Sequence, residues 1–149
     1  MFRGNHPAKV DEKGRLKIPV AFKTLLDARN VTQFYITSID GIRAQIWPLA
    51  EWEKQEERLA EYGTMDDAVE KYINLTSFYG QQVEFDSAGR VLLPQILREK
   101  AKLDGDTAVL GKLHYLEVRN LKDAEQDLPA YEMTAEERRA VANITRRQG

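Results

Sequence analysis

One ten-residue pattern occurs twice in this 149-residue chain, and its recurrence constrains the fold more than any other feature. Val10-Asp11-Glu12-Lys13-Gly14-Arg15-Leu16-Lys17-Ile18-Pro19 returns 75 residues later as Phe85-Asp86-Ser87-Ala88-Gly89-Arg90-Val91-Leu92-Leu93-Pro94. Asp, Gly, Arg and Pro recur in register, and so do the apolar pairs Leu16/Val91 and Ile18/Leu93. A basic residue stands four places after each Pro, Lys23 and Arg98.

Each copy is a turn followed by a short strand. Asp can bond nearby backbone amides and Gly accepts a positive φ, so Asp-x-x-Gly predicts a tight turn with Arg leaving it. Side chains alternate along the strand that follows. Leu16 and Ile18 should therefore face one way, and Arg15 and Lys17 the other. Pro19 and Pro94 end these strands and open the following helices.

The rest of the chain arranges itself around these units. Residues 8–20 form the first hairpin, and Val20–Leu26 a short helix with Phe22, Leu25 and Leu26 on its apolar side. Phe34–Ile39 and Arg43–Trp47 are strands joined by the turn signal Asp40-Gly41. Leu49–Tyr62 is a helix with Leu49, Trp52 and Leu59 inward. Thr64 is the expected cap of a further helix, in which Met65, Ala68, Val69, Tyr72, Ile73, Thr76 and Tyr79 form a firmly docked stripe. Gln82–Phe85 and Arg90–Leu93 make the second hairpin, 95–102 its helix, and 107–110 with 115–119 its last strands. Arg119-Asn120-Leu121-Lys122-Asp123-Ala124 stands where the first half has Trp47-Pro48-Leu49-Ala50-Glu51-Trp52, so packing there should differ. Thr134 and Glu137 form a capping box for a tail helix carrying Arg138, Arg139, Arg146 and Arg147. That tail is open to three readings: phosphate contact, packing on a neighbour, or fraying.

Charge is distributed unevenly. The chain has 22 basic and 24 acidic residues, a net −2, which disfavours nucleic-acid binding mildly. Residues 1–23, however, hold Arg3, Lys9, Lys13, Arg15, Lys17 and Lys23 against only Asp11 and Glu12. Residues 81–98 are balanced: Arg90 and Arg98 against Glu84 and Asp86. There is no cysteine for a disulfide or thiolate metal site. No apolar run is long enough for a membrane span, no signal-peptide core is evident, and a cytoplasmic location is expected. His6 and His114 are isolated, and no phosphate loop or nucleophile motif occurs, so an enzyme is not expected.

Two Asp-x-x-Gly-Arg-x-x-x-Pro units in one short chain, with Met1-Phe2-Arg3-Gly4 and the Trp47-Pro48 segment, resemble the MraZ family. This is the duplicated branch of the SpoVT/AbrB superfamily of swapped-hairpin DNA-binding proteins. The resemblance spans about residues 1–125. It implies an α+β fold of two tandem AbrB-like β-β-α-β-β units, interleaved as an intramolecular pseudo-dimer with added helices. The units would occupy 1–62 and 81–125, with a linking helix at 63–80 and a helical tail at 126–149.

The same resemblance implies a nucleoid-associated transcriptional regulator, expected to repress the division and cell-wall gene cluster, including its own gene. It would bind short direct repeats in double-stranded promoter DNA as a homo-oligomeric ring. The expected contacts are Arg15, Lys13, Lys17, Lys9 and Arg3, with Arg90 as auxiliary. Arginine can clamp phosphate or bond guanine bidentately, while single lysines supply affinity and salt dependence. No cofactor, metal, membrane or small-molecule substrate is expected. The alternatives are an AbrB-like antitoxin or protein-interaction module, and an RNA binder.

Overall fold

The computed structural model describes residues 1–63 and 65–146. In chain order its strands are β1 (Asn5–Val10), β2 (Arg15–Lys17), β3 (Gln33–Thr37), β4 (Ala44–Pro48), β5 (Gln81–Glu84), β6 (Arg90–Leu92), β7 (Gly105–Gly111) and β8 (Leu116–Asn120). The helices are α1 (Val20–Ala28), α2 (Leu49–Tyr62), α3 (Asp67–Phe78), α4 (Gln95–Lys100), α5 (Leu121–Asp127) and α6 (Ala135–Thr145), with a 3-10 turn at Leu128–Tyr131. The class is mixed α+β, with one antiparallel, nearly closed sheet in the order β5-β3-β4-β8-β7-β1-β2-β6.

Pairing across the two halves dominates that order. β1 lies on β7, β2 on β6, β3 on β5 and β4 on β8. Within a hairpin, β1 and β2 share only the Val10↔Leu16 pair. The expectation of β5 and β6 as a ladder-paired hairpin is corrected here: they adjoin where the nearly closed sheet meets, but their hydrogen-bonded partners are β3 and β2. Their turn is nonetheless formed: the Asp86 N–H donates to Arg90 O at 2.9 Å, matching Asp11 to Arg15 at 3.0 Å. Three-residue strands are too short to sustain a ladder alone, so each hairpin completes its hydrogen bonding on the other half.

Alternation places the core inside this sheet. Leu16 and Val91 are opposite each other and almost fully buried, as are Ile36, Ile46, Val109 and Val118. Phe22, Leu26 and Leu97 close the core from α1 and α4, and Leu25 is half-buried. Each such side chain contributes about 1.5–3 kcal/mol. Pro19, Pro48 and Pro94 sit directly before α1, α2 and α4, with ψ of 141°, 133° and 134° that hold the chain extended until the helix begins.

The linking segment departs from expectation. Thr64 lies outside the described residues, and the cap of α3 is Asp66, whose carboxylate accepts from Ala68 N and Val69 N at 2.9 and 3.2 Å. Met65 precedes the helix and is 95% exposed. α3 docks lightly, burying Thr76, while Tyr79 is buried just beyond its end. The apolar stripe on α3 misled because periodicity reports a face, not the depth of its burial. The C-terminal capping box is formed: Glu137 N–H donates to Thr134 Oγ1 at 3.1 Å, and Thr134 N–H to Glu137 Oε1 at 2.9 Å. It starts a helix with no buried residue. Arg147 falls outside the described residues. No described helix is long and apolar enough to cross a membrane.

Candidate nucleic-acid interface

The two repeated turns meet on one side of the sheet. In the first, Asp11 Oδ1 accepts from Lys13 N and Arg15 N at 3.0 and 2.9 Å, while Oδ2 accepts from Arg15 Nε at 2.8 Å. In the second, Asp86 repeats this with Ala88 N, Arg90 N and Arg90 Nε at 2.9, 2.9 and 2.8 Å. The Asp therefore builds the turn and orients the guanidinium as well. The arginine's own backbone amide is the largest influence holding each carboxyl below the usual aspartate range. Both arginine side chains remain 30% exposed. With Nε engaged, the Nη groups are the donors left to grip phosphate or a base edge.

Gly14 and Gly89 turn the chain at φ 82° and 74°, a region L side chains rarely adopt. They also lock the halves together. Leu93 N–H donates to Gly14 O at 3.0 Å, and Ile18 N–H to Gly89 O at 3.3 Å. The Arg98 guanidinium covers Gly14, with its Nε donating to Leu93 O at 3.1 Å, and Lys23 covers Gly89. Neither basic residue belongs to the expected contact set. Their shared offset from each Pro was the available signal, but nothing local says that each crosses to the other half's turn.

On the outward face of the β2–β6 pair, Arg15 is opposite Leu92 and Lys17 is opposite Arg90. Arg90 Nη1 also stands 3.8 Å from Asp11 Oδ2, tying the second arginine to the first turn. Lys13 and Lys17 are exposed beside them. Lys9 is exposed too, and faces Asp106 at 3.9 Å from the neighbouring strand. Arg3 does not join this group. It precedes β1 at the end distant from the turn, about 17 Å or more away along the strand. The fold also adds acids that a sequence window omits. The groove beside the first turn is lined by Lys13, Arg15, Arg98 and Lys102, and by Asp11, Glu12, Glu99 and Asp104. Local positive charge thus lies on the exposed strand face and tip rather than in the groove.

The two histidines sit apart from this face. His6 packs edge-on to Phe22 with centroids 4.9 Å apart, and His114 Nδ1 is 3.9 Å from Glu51. No group of three or more His, Cys, Asp or Glu that could hold a metal occurs among the described residues.

Comparison with known proteins agrees with the duplication. The family model described as "MraZ protein, putative antitoxin-like" matches residues 1–72 and 79–143. A transcriptional regulator MraZ of Acidobacterium capsulatum is 52% identical over 144 residues, covering 97% of this chain and 99% of the relative. The protein of that name from Koribacter versatilis is 41% identical with the same coverage. One from Neisseria meningitidis serogroup C is 32% identical over 86% of this chain and 85% of the relative. With matches on both copies of the turn and nearly the full length, the chain belongs to the MraZ family.

Proposed function

We propose that this protein is a DNA-binding transcriptional regulator whose contact surface is the outward face of β2 and β6 with the two turns beside it. The observation that carries the reading is the pair of Asp-clamped, partly exposed arginines, Arg15 and Arg90, brought side by side from distant parts of the chain. Arg15 with Lys13 and Lys17 makes the principal contact, Lys9 reaches flanking phosphate, and Arg90 is auxiliary. Arg3, before β1, extends the basic face to phosphates farther along the duplex. The relatives' names support the regulatory role.

The units at 1–62 and 81–125 act as the two members of an intramolecular swapped-hairpin pseudo-dimer, a reading supported by the cross-half strand pairing. Residues 63–80 link them and 126–149 form a tail. One chain offers a small basic face, so affinity comes from assembly. A homo-oligomeric ring sets several such faces against direct repeats, and linked weak sites gain strongly when spacing matches. The target is the division and cell-wall cluster, with repression of the protein's own promoter and residence on the cytoplasmic nucleoid.

Fluorescence anisotropy with duplex DNA from the chain's own upstream region tests this, with RNA of the same sequence as competitor. The expected result is saturable binding that weakens steeply with salt and that RNA does not displace. Absence of binding at low salt would refute it. Co-purification of a stoichiometric foreign protein instead would favour an antitoxin role.

A further inference from the structure

The basic residue four places after each Pro rests on the turn of the opposite half. Arg98, from α4, lays its guanidinium over Gly14 in the first turn, and Lys23, from α1, lays Cε against Gly89 in the second. The two are anchored differently. Lys23 Nζ donates to both carboxylate oxygens of Asp27 at 2.7 and 2.8 Å and stands 5.0 Å from the centre of the Phe85 ring. In the repeat, Lys102 takes the place of Asp27 and Val10 that of Phe85. Lys102 turns away to Asp123, 3.1 Å distant. Arg98 therefore has neither the acid nor the ring that steady Lys23.

What holds Arg98 is the first turn itself. Its Nε–H donates to Leu93 O at 3.1 Å, and Leu93 N–H donates to Gly14 O at 3.0 Å. A circuit thus runs from Arg98 through Leu93 to the residue preceding Arg15. The guanidinium also fills the place a side chain would take at Gly14, where a Cβ would overlap Cζ, Nη1 and Nε. Gly14 stands at φ 82°, and glycine has more backbone freedom to lose than any other residue. Cover and circuit together remove that freedom one residue before the arginine that Asp11 clamps. A lysine lacks the Nε–H and the broad planar head that do this. The groove beside Arg98 also holds Asp11, Glu12, Glu99 and Asp104, a poor setting for a phosphate.

We propose that Arg98 is a positioning residue through which the second half of the chain sets Arg15 for DNA without touching the duplex. An arginine already held in its bound arrangement loses less freedom on association, so affinity depends on this support. Lys23 performs the same service for the second turn, whose Arg90 is auxiliary, with little effect on binding. The inference rests on the DNA-binding reading for its consequence, but the support of the first turn stands apart from it.

Two measurements on the full-length protein test it, with cooperative unfolding checked for each variant. Hydrogen exchange followed by mass spectrometry reads the turns without DNA. Arg98→Ala should speed exchange of the 11–15 amides about tenfold or more and leave 86–90 unchanged, while Lys23→Ala does the reverse. Anisotropy with duplex DNA from the chain's own upstream region then reads the consequence across a salt series. Arg98→Ala and Arg98→Lys should each weaken binding about fivefold with the parent's salt slope, and Lys23→Ala less than about twofold. Unchanged exchange at the first turn would overturn the proposal, as would parent-like affinity in folded Arg98→Ala. Parent-like affinity in Arg98→Lys, or a slope shallower by about one, would make Arg98 a phosphate contact and equally overturn it. A parent that ignores the duplex would refute the proposed function instead, and exchange alone would then decide whether Arg98 holds the first turn.

Discussion

The two Asp-x-x-Gly-Arg turns make the same hydrogen bonds to within 0.1 Å, yet they present different surfaces to solvent. The first surrounds its arginine with Lys9, Lys13 and Lys17, and the second sets Glu84, Ala88 and Leu92 at those places. Leu92 is 46% exposed in the middle of the shared face. Turn geometry is therefore fixed by Asp and Gly, whereas the electrostatics belong to the positions between them. Building an arginine clamp and charging its surroundings are separable, and each can be altered without the other.

Making the first turn resemble the second should have the largest effect. The double variant Lys13→Ala/Lys17→Leu removes two phosphate-reaching charges and should weaken duplex binding about tenfold to a hundredfold at moderate salt, with a shallower salt slope. The reciprocal Ala88→Lys/Leu92→Lys should tighten binding and steepen the slope. Anisotropy across a salt series reads both, and unchanged affinity in both variants would show that charge at these positions does not set binding.

A smaller effect distinguishes the glycines. Gly14→Ala and Gly89→Ala each place a side chain at positive φ, costing about 1–2 kcal/mol. At Gly14 the new Cβ also overlaps the Arg98 guanidinium, whereas at Gly89 it meets Lys23 Cε at 3.1 Å. Thermal unfolding should rank Gly14→Ala as the less stable variant. Equal stabilities would mean that Arg98 moves aside freely, and the opposite order would refute the ranking.

The carboxylates give the third contrast. Asp11 and Asp86 both titrate low because the Arg15 and Arg90 backbone amides bond their charged forms. Their stabilisation is thus complete above the unfolded aspartate value, about pH 4, and is lost as pH falls through the lowered folded value. The unfolding midpoint should be insensitive to these groups from pH 7 to about 5 and should fall below about pH 4. Asp11 additionally faces Arg90. Asp11→Asn should consequently lower the neutral-pH midpoint slightly more than Asp86→Asn does.

Much of this was legible in the residues because it is local. Asp and Gly at fixed offsets dictate a turn, alternation separates Leu16 from Lys17, and Thr134 with Glu137 announces a helix start. What was not legible depends on contacts between the halves. No sequence window shows that Arg98 covers Gly14, that Glu99 and Asp104 stand beside Lys13, or that β6 pairs with β2 rather than β5. Arg3 is expected to extend the basic face, and the length of the extended β1 between Arg3 and the turn is a distance that nearness in sequence does not convey. The exchange of Trp47 and Trp52 for Arg119 and Ala124 was visible, yet the return of Asp127 and Tyr131 onto Arg119 was not.

On the proposed function, Arg15, held by Asp11 among lysines, should grip duplex DNA more than its structural twin Arg90 does. The direct test compares Arg15→Ala with Arg90→Ala in a gel shift on the chain's own upstream region, at matched salt and with folding checked. Arg15→Ala should lose at least about tenfold in affinity, about 1.4 kcal/mol, and Arg90→Ala less than about threefold. Equal losses, or undiminished binding without Arg15, would contradict it.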